Sequence, residues 1–80
     1  MNIEEIRAAF ASGAYRFRDH ARRQMRERNI EANAVTEAIL SGEVIEEYPL
    51  HFYGPCCLIY GRSRISRPLH IVWLLLPKGG

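Results

Sequence analysis

The stretch ANAVTEAILSGEVIEEYP, residues 32–49, changes its period halfway, and that change decides the fold. From about Ala32 to Ser41 the apolar positions Val35, Ala38 and Ile39 recur three and four apart, as the buried face of a helix requires. Gly42 closes that helix. From Val44 to Tyr48 the period falls to two, the signature of a strand, and Pro49 cuts it off because proline cannot donate to a ladder. The chain therefore turns from helices to strands near residue 42.

Working upstream, two more helices are expected. Asn2 and Glu5 have capping-box spacing, and Ile3, Ile6 and Phe10 then follow a helical period that ends near Ser12-Gly13. Tyr15 and Phe17 alternate with Arg16 and Arg18 in an extended connector. Asp19 is a good N-cap for a second helix running to about Arg28, with Ala21 and Met25 on its buried side and Asn29 as a left-handed stop. Working downstream, Cys56–Gly61 reads as a second strand and Leu69–Leu76 as a third, the most apolar, stopped by Pro77. The links Leu50–Pro55 and Arg62–Pro68 suit antiparallel neighbours. Three helices followed by three strands predict an α+β domain, with helices on one face of a small antiparallel meander. Ile6, Phe10, Met25, Val35, Ile39, Leu58, Ile71 and Trp73 are the expected core.

Eighty residues leave room for a single domain, taken as residues 1–80, and 48% hydrophobic with 25% charged residues excludes a disordered tail. No apolar run approaches the roughly 18–20 residues that span a bilayer, and Met1–Glu5 does not open like a signal peptide, so the expected location is cytoplasmic. The only cysteines, Cys56 and Cys57, are adjacent and ill placed to bond each other. With His51 and His70 they suggest zinc, but neighbours on a strand face opposite ways and no pair has the spacing of a zinc knuckle. No metal or other cofactor is expected.

The net charge is only +2, yet ten of eleven basic residues are arginine and six fall between Arg16 and Arg28, offset there by Asp19 and Glu27. The planar guanidinium fork matches phosphate. A solvated helix face explains the same cluster equally well. On a helix His20, Gln24 and Arg28 share one face, while Arg22 and Arg26 form another four-spaced pair. A histidine beside arginines is what metal-free RNA cleavage needs: one group moves the 2′-hydroxyl proton and guanidinium stabilises the charged phosphorane. Spacing alone favours a plainer role for His20, packing or capping at the helix start. Strand alternation puts His70 with Val72 and Leu74 on one face and Leu69, Ile71, Trp73 and Leu75 on the other. Tyr48 and Tyr60 could donate to phosphate or stack on a base, though tyrosine on a small sheet more often packs.

Several elements recur together: Tyr15-Arg16-Phe17, His20-Ala21, Met25-Arg26-Glu27-Arg28-Asn29-Ile30, Ala38-Ile39, Gly42 to Pro49, Gly61-Arg62 and Arg67-Pro68-Leu69-His70-Ile71-Val72. In these the chain resembles, over nearly its whole length, the bacterial family catalogued as domain of unknown function 4258. That family in turn resembles the RelE-like toxins, small ribonucleases, and its members often neighbour a zinc-finger antitoxin of the kind paired with MqsR. The resemblance implies a RelE-toxin-like α+β fold and a toxin half of such a pair. Relatives often carry arginine where Gln24 stands, and they continue past the third strand into a fourth. With Lys78-Gly79-Gly80 following the third strand here, the expectation is a truncated member or a partner that supplies the cover.

Three readings follow. The first is a toxin-like, metal-independent endoribonuclease with His20 and His70 as acid and base, Arg28 and Arg67 on phosphate charge, Tyr48 assisting, and Arg18, Arg22, Arg23 and Arg26 holding RNA. The second is a non-catalytic module whose arginine face binds RNA or an acidic protein. The third is a structural domain that oligomerises. A homodimer or an antitoxin complex is expected to cover the third strand, whose edge would otherwise lie open.

Overall fold

The computed structural model describes residues 2–50, 52 and 54–75. The elements run α1 (Ile3–Ala11), α2 (Asp19–Glu27), α3 (Ala32–Ser41), β1 (Glu43–Tyr48), β2 (Cys56–Arg62) and β3 (Pro68–Leu74). The sheet is an antiparallel meander in the order β1-β2-β3, so β2 is central. This is the expected α+β arrangement of helices first and strands after.

The helix ends show how local chemistry sets the boundaries. Asn2 caps α1 by accepting a 2.7 Å bond from the Glu4 amide, and the chain leaves the helix through Ser12 and a left-handed Gly13 at φ 77. The donor is the second helical amide and not that of Glu5, so Asn2 acts as a simple N-cap and neither bond of the anticipated Asn2–Glu5 capping box is found among the described residues. Asp19 was expected as the N-cap of α2. Arg18 occupies that position instead, and Asp19 is the first helical residue, where its charge still favours the positive end of the helix dipole. Asn29 does stop α2 in the left-handed region, at φ 54.

The core lies between the helices and one face of the sheet. Ile6, Val35 and Ile39 from the helices meet Cys57 and Ile59 of β2, and Phe10, Phe17, Met25, Ile30, Val44, Ile71 and Trp73 pack around them. Seven of the eight expected core residues are in this assembly. Leu58 is the exception, because strand parity turns it to the opposite face from Cys57 and Ile59, and its place inside is taken by those two. The third strand begins at Pro68 and ends at Leu74, with Leu75 beyond it; the expected extension to Leu76 and the stop at Pro77 lie outside the described residues.

One glycine governs the helix–sheet distance. A Cβ on Gly61 of β2 would stand 1.9 Å from the Ala38 carbonyl oxygen of α3. The helix backbone therefore rests directly on the strand. Around this contact, Arg7 of α1 clamps the end of α3, with Nε donating to Ile39 O (3.2 Å) and Nη2 to Gly42 O (2.9 Å). Those carbonyls are among the ones that a helix C-terminus leaves without intrahelical partners. Ser41 ties the same end to β2, its hydroxyl donating to Arg62 O at 3.0 Å and accepting from Arg62 N at 3.2 Å.

Candidate nucleic-acid interface

α2 is the most polar helix of the domain. None of its side chains is fully buried; Ala21, Gln24 and Met25 are half-buried, and the remainder are exposed. Met25 packs it against the core, Ala21 is half-buried beside it, and a tether holds its C-terminal end. The tether is Arg67, whose Nη2 donates to Arg28 O at 2.7 Å and Nη1 to Asn29 O at 3.3 Å. Arg67 is itself held by the β2–β3 turn, where Ser63 N donates to Arg67 O at 2.9 Å and the Ser63 hydroxyl accepts from Arg67 N at 3.2 Å.

The consequence is an arginine ridge. Arg22, Arg23, Arg26 and Arg28 are exposed, and none of them has a carboxylate within ion-pair distance among the described residues. Arg23 and Glu27 have the spacing of an ion pair but do not form one. Arg16 and Arg18, also exposed, extend the basic surface along the connector. There Tyr15, still exposed, stacks on Phe10 (ring centroids 4.0 Å apart, planes within 13°), and Phe17 meets Tyr15 edge-on at 5.9 Å. Alternation thus sends the aromatic rings one way and the arginines the other.

The five expected catalytic residues do not converge on one cleft. Ile59 and Ile71 face the helices, so their strand neighbours Tyr60 and His70 face away from them. Tyr60 and His70 are register partners whose rings lie 5.0 Å apart, tilted by 57°. α2 sits on the other side, where Met25 joins the core. His20 and His70 are therefore separated by the sheet, and the expected His20–His70 acid–base pair is corrected on that ground. Arg67 points to the helix side, where it serves the end of α2, which brings it to the Arg28 backbone but not to His70. Tyr48 shares the open face but lies opposite Cys56, four residues along β2 from Tyr60 and hence about 13 Å away. Its hydroxyl donates to the Glu46 carboxylate, and that bond, more than the slight desolvation or the negative charge, pushes its pKa up.

What stands around His70 is a different set. Tyr60 is beside it, and the Arg62 guanidinium lies 6.0 Å from the Tyr60 ring centre on the far side of the strand from the core. Leu58, Val72 and Leu74 continue this face as an apolar strip in which Val72 is exposed and the two leucines are half-buried. Cys56 and Cys57 are both free and buried, and they point to opposite faces as adjacent strand residues must. Burial pushes the Cys57 thiol pKa up. His51, the fourth member of the suspected zinc set, lies outside the described residues. No group of three or more histidine, cysteine or acidic side chains suited to a metal occurs among those described.

Sequence reasoning missed the groove beside the ridge. A shallow, largely open groove of about 540 Å³ lies between α2 and the start of α3, lined by the half-buried Phe17, Met25 and Ile30 and by the exposed Arg22, Arg26, Asn29 and Glu31. The alternating apolar residues of the connector were the available signal, but nothing in the spacing says which helices flank them.

Fold and surface together define a small α+β domain of three helices followed by an antiparallel meander, with α3 packed on the sheet and the basic α2 at the flank of the helix layer. The chain belongs to the family described as Domain of unknown function (DUF4258), which it matches over residues 17–79. Neither a curated protein nor a solved structure matches it. Among the described residues, no helix is long and apolar enough to cross a membrane.

Proposed function

We propose that this chain is an RNA-binding, toxin-like module that grips the phosphate backbone of single-stranded RNA through α2. The observation that carries the reading is the unpaired ridge of Arg22, Arg23, Arg26 and Arg28 on a helix that contributes little to the core. Arginines kept for stability are normally paired or capping, as Arg7 and Arg67 are here. An unpaired row instead suits polyanions, whose bound counterions are released on binding. The toxin–antitoxin role and the RelE-like relation rest on the family resemblance alone, and the partner that resemblance implies is an antitoxin.

The test is fluorescence anisotropy of a labelled single-stranded RNA between about 50 and 200 mM salt. Four phosphate contacts give a slope of log K against log salt of about −3. Exchanging Arg22 and Arg26 for glutamine should reduce its magnitude by about half. Binding that ignores salt, or that survives the double exchange unchanged, refutes the reading.

A second reading, metal-independent cleavage, is favoured by one further observation: His70, Tyr60 and Arg62 stand together on the open sheet face. Here His70 would take the 2′-hydroxyl proton as that oxygen attacks the adjacent phosphorus, and the P–O5′ bond would break with the leaving 5′-oxygen taking a proton from water. Arg62, one of whose nitrogens donates to Ser66 O at 3.1 Å, would stabilise phosphorane charge through its remaining N–H groups. His70→Ala should then lower cleavage of RNA, in the presence of chelator, by about 10²–10⁴-fold. Cleavage undiminished in that variant removes the reading.

A further inference from the structure

We propose that the groove between α2 and α3 seats one unstacked base of the RNA strand, and that it prefers a base carrying an exocyclic amine. This rests on the RNA reading above and names what lies beside the ridge. The volume, about 540 Å³, falls in the usual range of small-ligand clefts, roughly 300–1,000 Å³. Its composition separates into two layers. Phe17, Met25 and Ile30 are half-buried and packed on the core, so the recessed part is apolar and includes one aromatic ring. Single-stranded nucleic acids are held by this combination of aromatic platform and basic track, because every base has a π-face.

The mouth supplies the rest. Arg22 and Arg26 are four apart on α2, neighbours on one helix face, so their two forks flank the opening and can take the phosphates on either side of a seated nucleotide. The excess positive charge at this rim selects a polyanion over an apolar peptide. Glu31 stands at the same mouth as the N-cap residue of α3, yet its side chain makes no capping bond to the helix. Its carboxylate is thus an uncommitted acceptor beside two arginines. Such a group accepts from the amine of cytosine, while the carbonyl of uracil at the same position would be repelled. Asn29, held at the groove by its left-handed backbone and by the Arg67 bond to its carbonyl, adds an amide that can both donate and accept.

Full-length protein would be titrated with three labelled RNA hexamers of equal charge: oligocytidylate, oligouridylate, and a strand whose central positions are abasic. Oligocytidylate should bind roughly five- to hundredfold tighter than the abasic strand, the worth of stacking one base. It should also exceed oligouridylate, with Glu31→Gln bringing the two pyrimidines together. Phe17→Leu keeps an apolar side chain but removes the ring, and it should lower oligocytidylate binding toward the abasic level while leaving the salt slope unchanged. The wild-type comparison needs no variant, so a Phe17→Leu protein that folds poorly leaves the proposal exposed to refutation. Equal affinity for cytidylate and abasic strands, with a salt slope that still depends on Arg22 and Arg26, overturns the base site and leaves the ridge standing. Failure of all three strands to bind overturns both.

Discussion

Gly61→Ala should destabilise the fold by about 2–3 kcal/mol, and the number follows from one contact. The new Cβ would sit 1.9 Å from Ala38 O, 2.7 Å from Ala38 C and 2.9 Å from Ala38 Cα. All three are backbone atoms, so no side-chain rotation relieves the clash. To restore even 3.0 Å to the oxygen, α3 must lift from β2 by about 1.1 Å. A radial gap of that size forfeits a quarter to a half of the dispersion attraction between the surfaces it parts. Those surfaces are Val35, Ala38 and Ile39 on one side and Ile59 and Cys57 on the other, all buried. Full burial of a large aliphatic side chain is worth roughly 1.5–3 kcal/mol, so losing part of it at several places costs about 3 kcal/mol, at the upper end of overpacking penalties. Against this, alanine restricts the unfolded chain more than glycine does, returning about 0.4–1 kcal/mol. Urea denaturation followed by far-ultraviolet circular dichroism measures the difference. With a slope near 1 kcal/mol per molar, the midpoint should fall by about 2–3 M. A drop below about 0.5 M would refute the claim that α3 rests on the β2 backbone.

Three other outcomes are expected. Arg67→Met should leave the sheet intact but free the last turn of α2, because two carbonyls lose their donor; hydrogen exchange of the Arg28, Asn29 and Ile30 amides should accelerate about tenfold or more, and unchanged protection there would show the tether to be unimportant. For Cys57, burial raises the folded pKa above that of the unfolded thiol, so the stability it contributes is complete below about pH 9 and is lost as the pH rises through the folded value. Cys57→Ala should flatten that alkaline loss, and a thiol reagent should label wild-type Cys57 only on unfolding; rapid labelling of the native protein would contradict the burial. Finally, β1 carries Glu43, Glu46 and Glu47 with a register shift between Val44 and Glu46, whereas β3 has no acidic, lysine or arginine side chain and leaves Val72 65% exposed at the sheet's other edge. Association through β3 is therefore expected. Sedimentation equilibrium should detect a dimer that Val72→Lys weakens, and a wild-type monomer throughout the micromolar range would end the idea.

The order of elements, most of their ends and the inward-facing residues were legible from residues alone, because they depend on local chemistry. The change of period at Gly42, the Asn2 cap, the left-handed Asn29 and the parity of His70 against Ile71 and Trp73 each involve groups a few positions apart. The concentration of arginine between Arg16 and Arg28 was equally visible. Its availability was not: whether an arginine is free depends on which distant carbonyls and carboxylates reach it. Arg67 looked like a phosphate ligand until the fold placed the end of α2 within 2.7 Å of its guanidinium. His20 and His70 looked like partners because spacing records nothing about which side of a sheet a helix takes. That choice is made by burial, as Met25 packs against the core cluster and carries α2 to the helix layer, leaving His70 with Tyr60 on the open face. The groove of Phe17, Arg22, Arg26 and Glu31 likewise exists only where two helices meet, since it is the space that packing leaves between them.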